Sequence, residues 1–362
     1  MNETLRECCA AAGQMFTIGF EGSTPTPFVE RFLGSHRGGG VILFRRNMVG
    51  PEEILELNGA LRRLASHDVP YIMVDQEGGP VMRLRDWATP MPAMALVGSH
   101  KGVVEARRAG QILGEEVRAL GFNVNCAPVL DVNSNPDNPI IGERSFSEEP
   151  DRVAELGEAF VRGMQGAGVL ACGKHFPGHG DTDVDSHLAL PILSHSLERL
   201  RAVELVPFRH VIRTASPAMI MTAHILFPEL DPDFPCTLSP TVIPRLLRDE
   251  LKFGGVVVTD DLEMKAIADQ YDMEQVVQQG LLADVDVFLI CKEEWRQQAA
   301  MEALHKLIVD GGVSVERIQR SLRRISRTKT PLNTSGIPSV EAMRRILACE
   351  RHVEWATRVG MG

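Results

Sequence analysis

Residues 174–191 read KHFPGHGDTDVDSHLALP and place three histidines (His175, His179, His187) and three aspartates (Asp181, Asp183, Asp185) within thirteen positions. Such a cluster could hold a cation or move protons. Spacing excludes a calcium loop: one beginning at Asp181 needs Gly at its sixth position and Glu at its twelfth, where Ser186 and Ile192 stand. Zinc is disfavoured because Pro177 and Gly178 lie between His175 and His179 and forbid the regular helix that would bring an i,i+4 pair onto one face. A looser metal site on His187 and an aspartate stays open as an alternative, but no metal and no cofactor is expected. Acid–base chemistry fits better. Asp185 and His187 are two apart, so on an extended or turning segment they project to one side. A carboxylate beside an imidazole fixes its tautomer and favours its protonated form, which lets the ring donate a proton near neutral pH. The surrounding glycines and turn formers suit a loop that carries the pair over a substrate.

The elements that must position these residues are short apolar runs alternating with amphipathic segments. Candidate strands are 15–20, 40–44, 70–77, 123–131, 169–176, 218–224, 255–261 and 286–291, continuous in Val, Ile, Leu and Met, as strands buried on both faces of a parallel sheet read. Helical patterns over 51–67, 103–121, 151–168 and 239–254 lie between them, the last with Ser239 as N-cap and Pro244 in its first turn or at a break. Eight such units predict an α/β fold, a single-domain (β/α)8 barrel over 1–330, with a loop and a last helix over 331–362 packed on it. A doubly wound open sheet is the runner-up, but neither GxGxxG nor GxxxxGK[ST] occurs. In a barrel the chemistry sits at the C-terminal strand ends. Asp75, Asp131, Lys174, His175, His224, Asp260 and Asp261 all fall there. Each has a bland reading: Asp131 and Asp261 as caps, His224 as a satisfied core histidine, Arg144 as the neutraliser of Glu143 or of an aspartate. Their convergence on one rim argues for a site, because charges at the ends of apolar strands are costly unless paired or used.

Composition narrows the partners. The net charge of −10 disfavours nucleic acid and anionic membrane, both of which want clustered Lys and Arg. Seven scattered cysteines without CxxC predict reduced thiols in a cytoplasmic protein. The N-terminal segment MNETLRECCAAAGQMF lacks the unbroken apolar core of a signal peptide, and no run reaches the length of a membrane span.

KHFPGHGDTDVDSH resembles the KH(F/I)PG(H/L)GxxxxD(S/T)H signature of β-N-acetylglucosaminidases in glycoside hydrolase family 3. VDQEGGPVMRL (74–84), IGERSF (141–146), IMTAHILFPELDP (220–232) and VVVTDDLEM (256–264) follow the family's order, so that the resemblance runs from about residue 14 to 310. It is strongest to the single-domain bacterial type that recycles cell-wall fragments. The resemblance implies Asp260 as nucleophile, His187 as general acid/base and Asp185 as its partner. It also implies that Asp75, Arg83, Arg144, Lys174 and His175 bind the terminal N-acetylglucosamine, and that the anomeric configuration is retained through a covalent glycosyl-enzyme. Pro80 departs from the Arg usual after the Gly-Gly of the second motif, which puts substrate detail in doubt. Alternatives from other classes are a phosphorylase using the same residues, a carbohydrate sensor without turnover, and a metal hydrolase. The oligomeric state is not legible.

Overall fold

The computed structural model describes residues 3–65, 67–100, 102–334 and 336–360. Eight short strands form one parallel sheet: β1 (Phe16–Ile18), β2 (Gly40–Ile42), β3 (Tyr71–Val74), β4 (Val124–Asn125), β5 (Leu170–Phe176), β6 (Met219–Thr222), β7 (Val256–Val258) and β8 (Phe288–Ile290). Each strand pairs with its sequence neighbours, and β1 also pairs with β8, Phe16 opposite Phe288. A parallel bridge between Val258 and Val287 joins β7 to β8 and closes the ring. The fold is the expected (β/α)8 barrel. All strand residues but Leu170 are buried, which is why these runs show no polar alternation.

The strands are shorter than the apolar runs, for local reasons. β4 stops at Asn125 because the following Ala127-Pro128 segment offers no amide at Pro128 for the ladder; the chain rejoins β5 only at Val129, opposite Lys174. β3 ends at Val74, and Gln76–Gly78 turns back against Val81–Met82 as a separate antiparallel hairpin. Gly79 makes this turn: its φ is +55°, and a Cβ there would lie 2.7 Å from Ala93 Cα. After β6, the Ser239 hydroxyl accepts the amides of Thr241 and Val242, as a cap should. The helix that follows is a wide π-type segment over Ile243–Glu250, with Pro244 in its first turn, where a missing N–H costs nothing.

The end of the barrel opposite the site is closed by ions. Arg248 and Arg324 bind Asp284 and the fully buried Asp286, which also accepts the Val257 amide. The last apolar pattern is two helices rather than one, Val340–Ile346 and Glu350–Gly360, because Ala348 takes a φ of +45° between them. They sit against helix Val103–Ala119. The Ala348 amide and His352 Nδ1 reach Glu116 at 2.9 and 3.1 Å, and His352 Nε2 reaches Glu115 at 2.9 Å. Among the described residues no helix is long and apolar enough to cross a membrane.

Candidate active site

The C-terminal ends of the strands surround a pocket of about 180 Å³ lined by Asp75, Glu77, Arg83, Arg144, Lys174, His175, His179, His187 and Asp260 among others. Of the eight residues singled out in the sequence, seven line it; the eighth, Asp185, bonds the His187 ring from behind.

One wall is a frame of alternating charges. Lys174 Nζ lies 2.8 Å from Asp75 Oδ1 and 2.7 Å from Glu77 Oε1. Arg144 grips Glu77 with both Nε and Nη2, at 2.8 and 2.9 Å, and Arg83 Nη2 reaches Asp75 at 3.4 Å. Burial by itself would neutralise these groups. The mutual pairing overrides it: Asp75 and Glu77 are held below the ordinary carboxylate range, chiefly by Lys174, while Lys174 and Arg144 are held above theirs. Arg144 thus pairs with Glu77, 67 positions away, and not with its neighbour Glu143.

Lys174 and His175 are consecutive, yet both line the pocket, where a regular strand would send them to opposite faces. β5 has a register irregularity between Gly173 and Phe176, which re-aims the side chains between those positions. Asp131 does more than cap a loop. Fully buried, it accepts from His175 Nδ1 at 2.7 Å and from the His179 amide at 2.7 Å. Burial opposes its ionisation, but the His175 ring and these hydrogen bonds keep it charged. An ionised Asp131 can only accept, so His175 carries hydrogen on Nδ1.

Asp260 follows β7. Burial pushes its pKa up, and the fields of His175 and His224, the Asp261 amide at 2.8 Å and Lys174 bring it below the ordinary value. Its neighbour Asp261 is the reverse: burial, with Glu263 and Asp260 nearby, raises it to about 7. Asp261, which also lines the pocket, accepts the amides of Glu263 and Cys291 at Oδ1, at 3.1 and 3.2 Å. Two adjacent carboxyls therefore have opposite charge preferences. A raised carboxyl binds a proton in the fold that the unfolded chain has released, so its contribution is lost as pH rises through about 7. Asp261→Asn keeps the acceptor oxygen and removes the ionisation. Relative to wild type it is expected to gain about 2 kcal/mol of stability between pH 5 and pH 8, read from urea unfolding at both. A constant difference across that range would contradict the raised pKa.

His187 lies on the exposed loop after β5. Both its amide and its Nδ1 are 2.8 Å from Asp185 Oδ1, and that carboxyl is held below its usual range by these bonds against the effect of burial. The loop is tied down on its early side: Asp181 accepts from Ser134 at 2.9 Å and lies 2.8 Å from His195 Nε2, and Asn138 donates to the His179 carbonyl at 2.9 Å. Asp183 is exposed. His224 is a buried core histidine, bonded to Thr237 Oγ1 and the Asp261 carbonyl at 2.8 and 3.1 Å. Pro80, expected near the binding site, stands exposed at the hairpin turn and does not line the pocket. The residue that sequence reading passed over is Glu77. Its signal was available: Asp75 and Glu77 are two apart at a strand end, and period two sends both to one side.

Residues 12–328 match the N-terminal domain of glycosyl hydrolase family 3. The chain is 37% identical over 339 residues to beta-hexosaminidase A of Pseudoalteromonas piscicida, covering 87% of this chain and 57% of that protein's length. It is also 37% identical over 282 residues to the beta-hexosaminidase of Pseudomonas aeruginosa, covering 78% of this chain and 83% of that one. Among solved structures, it resembles a family 3 beta-N-acetylglucosaminidase from Paenibacillus sp., with a TM-score of 0.90 at 39% identity over 97% of this chain and 67% of the other. It also resembles NagZ from Neisseria gonorrhoeae in complex with N-trifluoroacetyl-D-glucosamine, with a TM-score of 0.79 at 29% identity over 96% and 97% of the two chains. By sequence and by fold, this chain belongs to glycosyl hydrolase family 3.

Proposed function

We propose that the protein is a retaining, exo-acting β-N-acetylglucosaminidase that removes terminal β-linked N-acetylglucosamine from cell-wall muropeptide or chitin-type fragments. The observation that carries this reading is an ionised, half-buried Asp260 in the same small pocket as the Asp75–Lys174–Glu77–Arg144 frame, with the His187–Asp185 pair at its rim. Asp75, Arg83, Arg144, Lys174 and His175 would hold the sugar through its hydroxyl and acetamido groups. Asp260 attacks the anomeric carbon while His187 protonates the leaving oxygen. His187 then removes a proton from water, which releases the sugar from Asp260 with its configuration retained. The anionic Asp260 also opposes the positive charge that develops on the ring. The names of the relatives support the N-acetylglucosaminide as substrate. The seven cysteines, all free, fit a reducing cytoplasm.

Purified protein is expected to release the aglycone from an aryl β-N-acetylglucosaminide, at a rate independent of phosphate and with free sugar as product. Accumulation of sugar 1-phosphate would identify a phosphorylase instead, and absence of release would sink the reading. His187→Ala is expected to lower kcat/KM by about 10²–10⁴ on a substrate with a sugar leaving group, and by less than about tenfold on a dinitrophenyl glycoside, whose leaving group needs no proton. Equal losses on both would remove His187 as the acid.

A further inference from the structure

His179, Thr182 and Ser186 are the polar side chains of the acid/base loop that are withdrawn from water, at 3%, 0% and 3% exposure, and none has a part in the steps above. Their hydrogen bonds can be assigned atom by atom. The Thr182 hydroxyl has one hydrogen, which it gives to the His179 carbonyl at 3.1 Å. With that hydrogen on the carbonyl, Thr182 Oγ1 accepts from His179 Nδ1, 2.7 Å away, and from Asn138 Nδ2 at 3.2 Å. Burial, reinforced by the neighbouring His175, lowers the His179 pKa to about 4, so the ring is neutral and its Nε2 is a bare acceptor. Ser186 Oγ lies 3.1 Å from that nitrogen and donates to it. The ring itself is fixed from below, with its own amide on Asp131 at 2.7 Å and its edge against His175 at 5.9 Å between centroids.

Ser186 is also the residue just before His187. Among the described residues, the hydrogen bonds that join 183–190 to the rest of the protein all run through Ser186: its hydroxyl to His179, and its carbonyl, which accepts from the Ala266 amide at 3.3 Å. The remaining bonds in the segment are internal. Asp185 takes the His187 amide and ring, and its carbonyl takes the amides of Leu188 and Ala189 at 2.8 and 3.1 Å. The dyad is thus a self-bonded turn hung from the barrel at one residue. That residue is held by the His179 ring on one side and by the Ala266 amide, after Asp260, on the other.

We infer that His179 is a positioning residue, and that its bond to the Ser186 hydroxyl latches the His187–Asp185 turn at the distance from Asp260 that proton transfer to the leaving group requires. The inference rests on the hydrolase reading above. It separates two properties. Breaking the latch leaves Lys174, Asp75 and Asp260 in place, so sugar binding and attack survive, while protonation of the leaving oxygen is lost.

The test compares Ser186→Ala, Ser186→Thr, His179→Phe and the double variant Ser186→Ala/His179→Phe with wild type on β-N-acetylglucosaminides whose leaving groups span alkyl to dinitrophenyl. The quantity read is kcat/KM, which reports the step up to glycosyl transfer. Ser186→Ala and His179→Phe are each expected to lose about 10–100-fold on the poorest leaving groups and less than about threefold on the most activated. The double variant should lose no more than the worse single, because both remove one bond, and Ser186→Thr should recover the wild-type dependence. A wild-type slope for Ser186→Ala, a uniform loss over all leaving groups, or additive losses in the double variant would overturn the latch. If His179→Phe fails to fold, the Ser186→Ala and Ser186→Thr pair decides alone. A wild-type protein that releases no aglycone overturns the hydrolase reading and this inference with it; a turning-over wild type with an unaltered Ser186→Ala slope overturns the latch only.

Discussion

Asp260→Ala is expected to lower kcat for every leaving group by roughly four orders of magnitude or more, the scale seen when a covalent nucleophile is removed. The environment explains why no nearby group should substitute. Asp261 is adjacent, but its carboxyl is raised to about 7 and committed to the amides of Glu263 and Cys291. Asp75 and Glu77 are ionised but bound to Lys174, Arg83 and Arg144, on the wall that would hold the sugar. His187→Ala should spare activated substrates; Asp260→Ala should spare none, and addition of azide or formate to stand in for the carboxylate would report on the geometry of the vacated position. The variant's affinity for N-acetylglucosamine, read by calorimetry, should stay within about tenfold of wild type. Residual activity within about a hundredfold of wild type would show that the nucleophile lies elsewhere.

The second large effect is on stability. Glu77→Ala leaves Lys174 and Arg144 without the carboxylate they share, in a region where their side chains are 3% and 12% exposed. Removing one partner of a buried ion network costs about 3–5 kcal/mol, because the remaining charge keeps its desolvation penalty. The loss should appear in urea unfolding at pH 7, accompanied by loss of sugar binding. Glu77→Gln keeps one acceptor oxygen but loses the charge and sets an amide donor against the Arg144 and Lys174 donors, so it should recover only part. The sign with pH follows from the carboxyl's depressed pKa in the fold. Its contribution is present above the unfolded value of about 4.3 and is lost as pH falls below it. The gap between wild type and Glu77→Ala is therefore expected to narrow in acid. A gap that is small at pH 7, or that grows toward pH 3, would show that the network contributes little.

Much of the architecture was legible. Continuous apolar runs separated by amphipathic segments mean strands buried on both faces and helices outside, and the barrel follows. The strand-end rule then pointed to Asp75, Lys174, His175 and Asp260 without contact information. Strand ends were overestimated where apolar character outruns hydrogen bonding, as in 123–131, where Pro128 interrupts the ladder and only Val124–Asn125 remain regular. The pattern over 340–360 reads as one helix because periodicity does not register a single positive-φ residue, Ala348.

For the site, sequence determined what is local. Asp185 and His187 meet because they are two apart, at 2.8 Å in the fold, and the calcium loop failed on spacing alone. What only the tertiary structure decided is who pairs with whom across the barrel. Glu77 meets Arg144 over 67 positions and Lys174 meets Asp75 over 99; Asp131 meets His175 over 44. No periodicity encodes such pairings, because they depend on the closure of the ring and on the β5 irregularity that turns two consecutive side chains into one pocket. The same holds for charge. That Asp260 ionises readily while Asp261, the identical residue beside it, holds its proton up to about pH 7 is set by burial and by which amides and cations each faces. These are properties of a packed, low-dielectric site and not of the dipeptide.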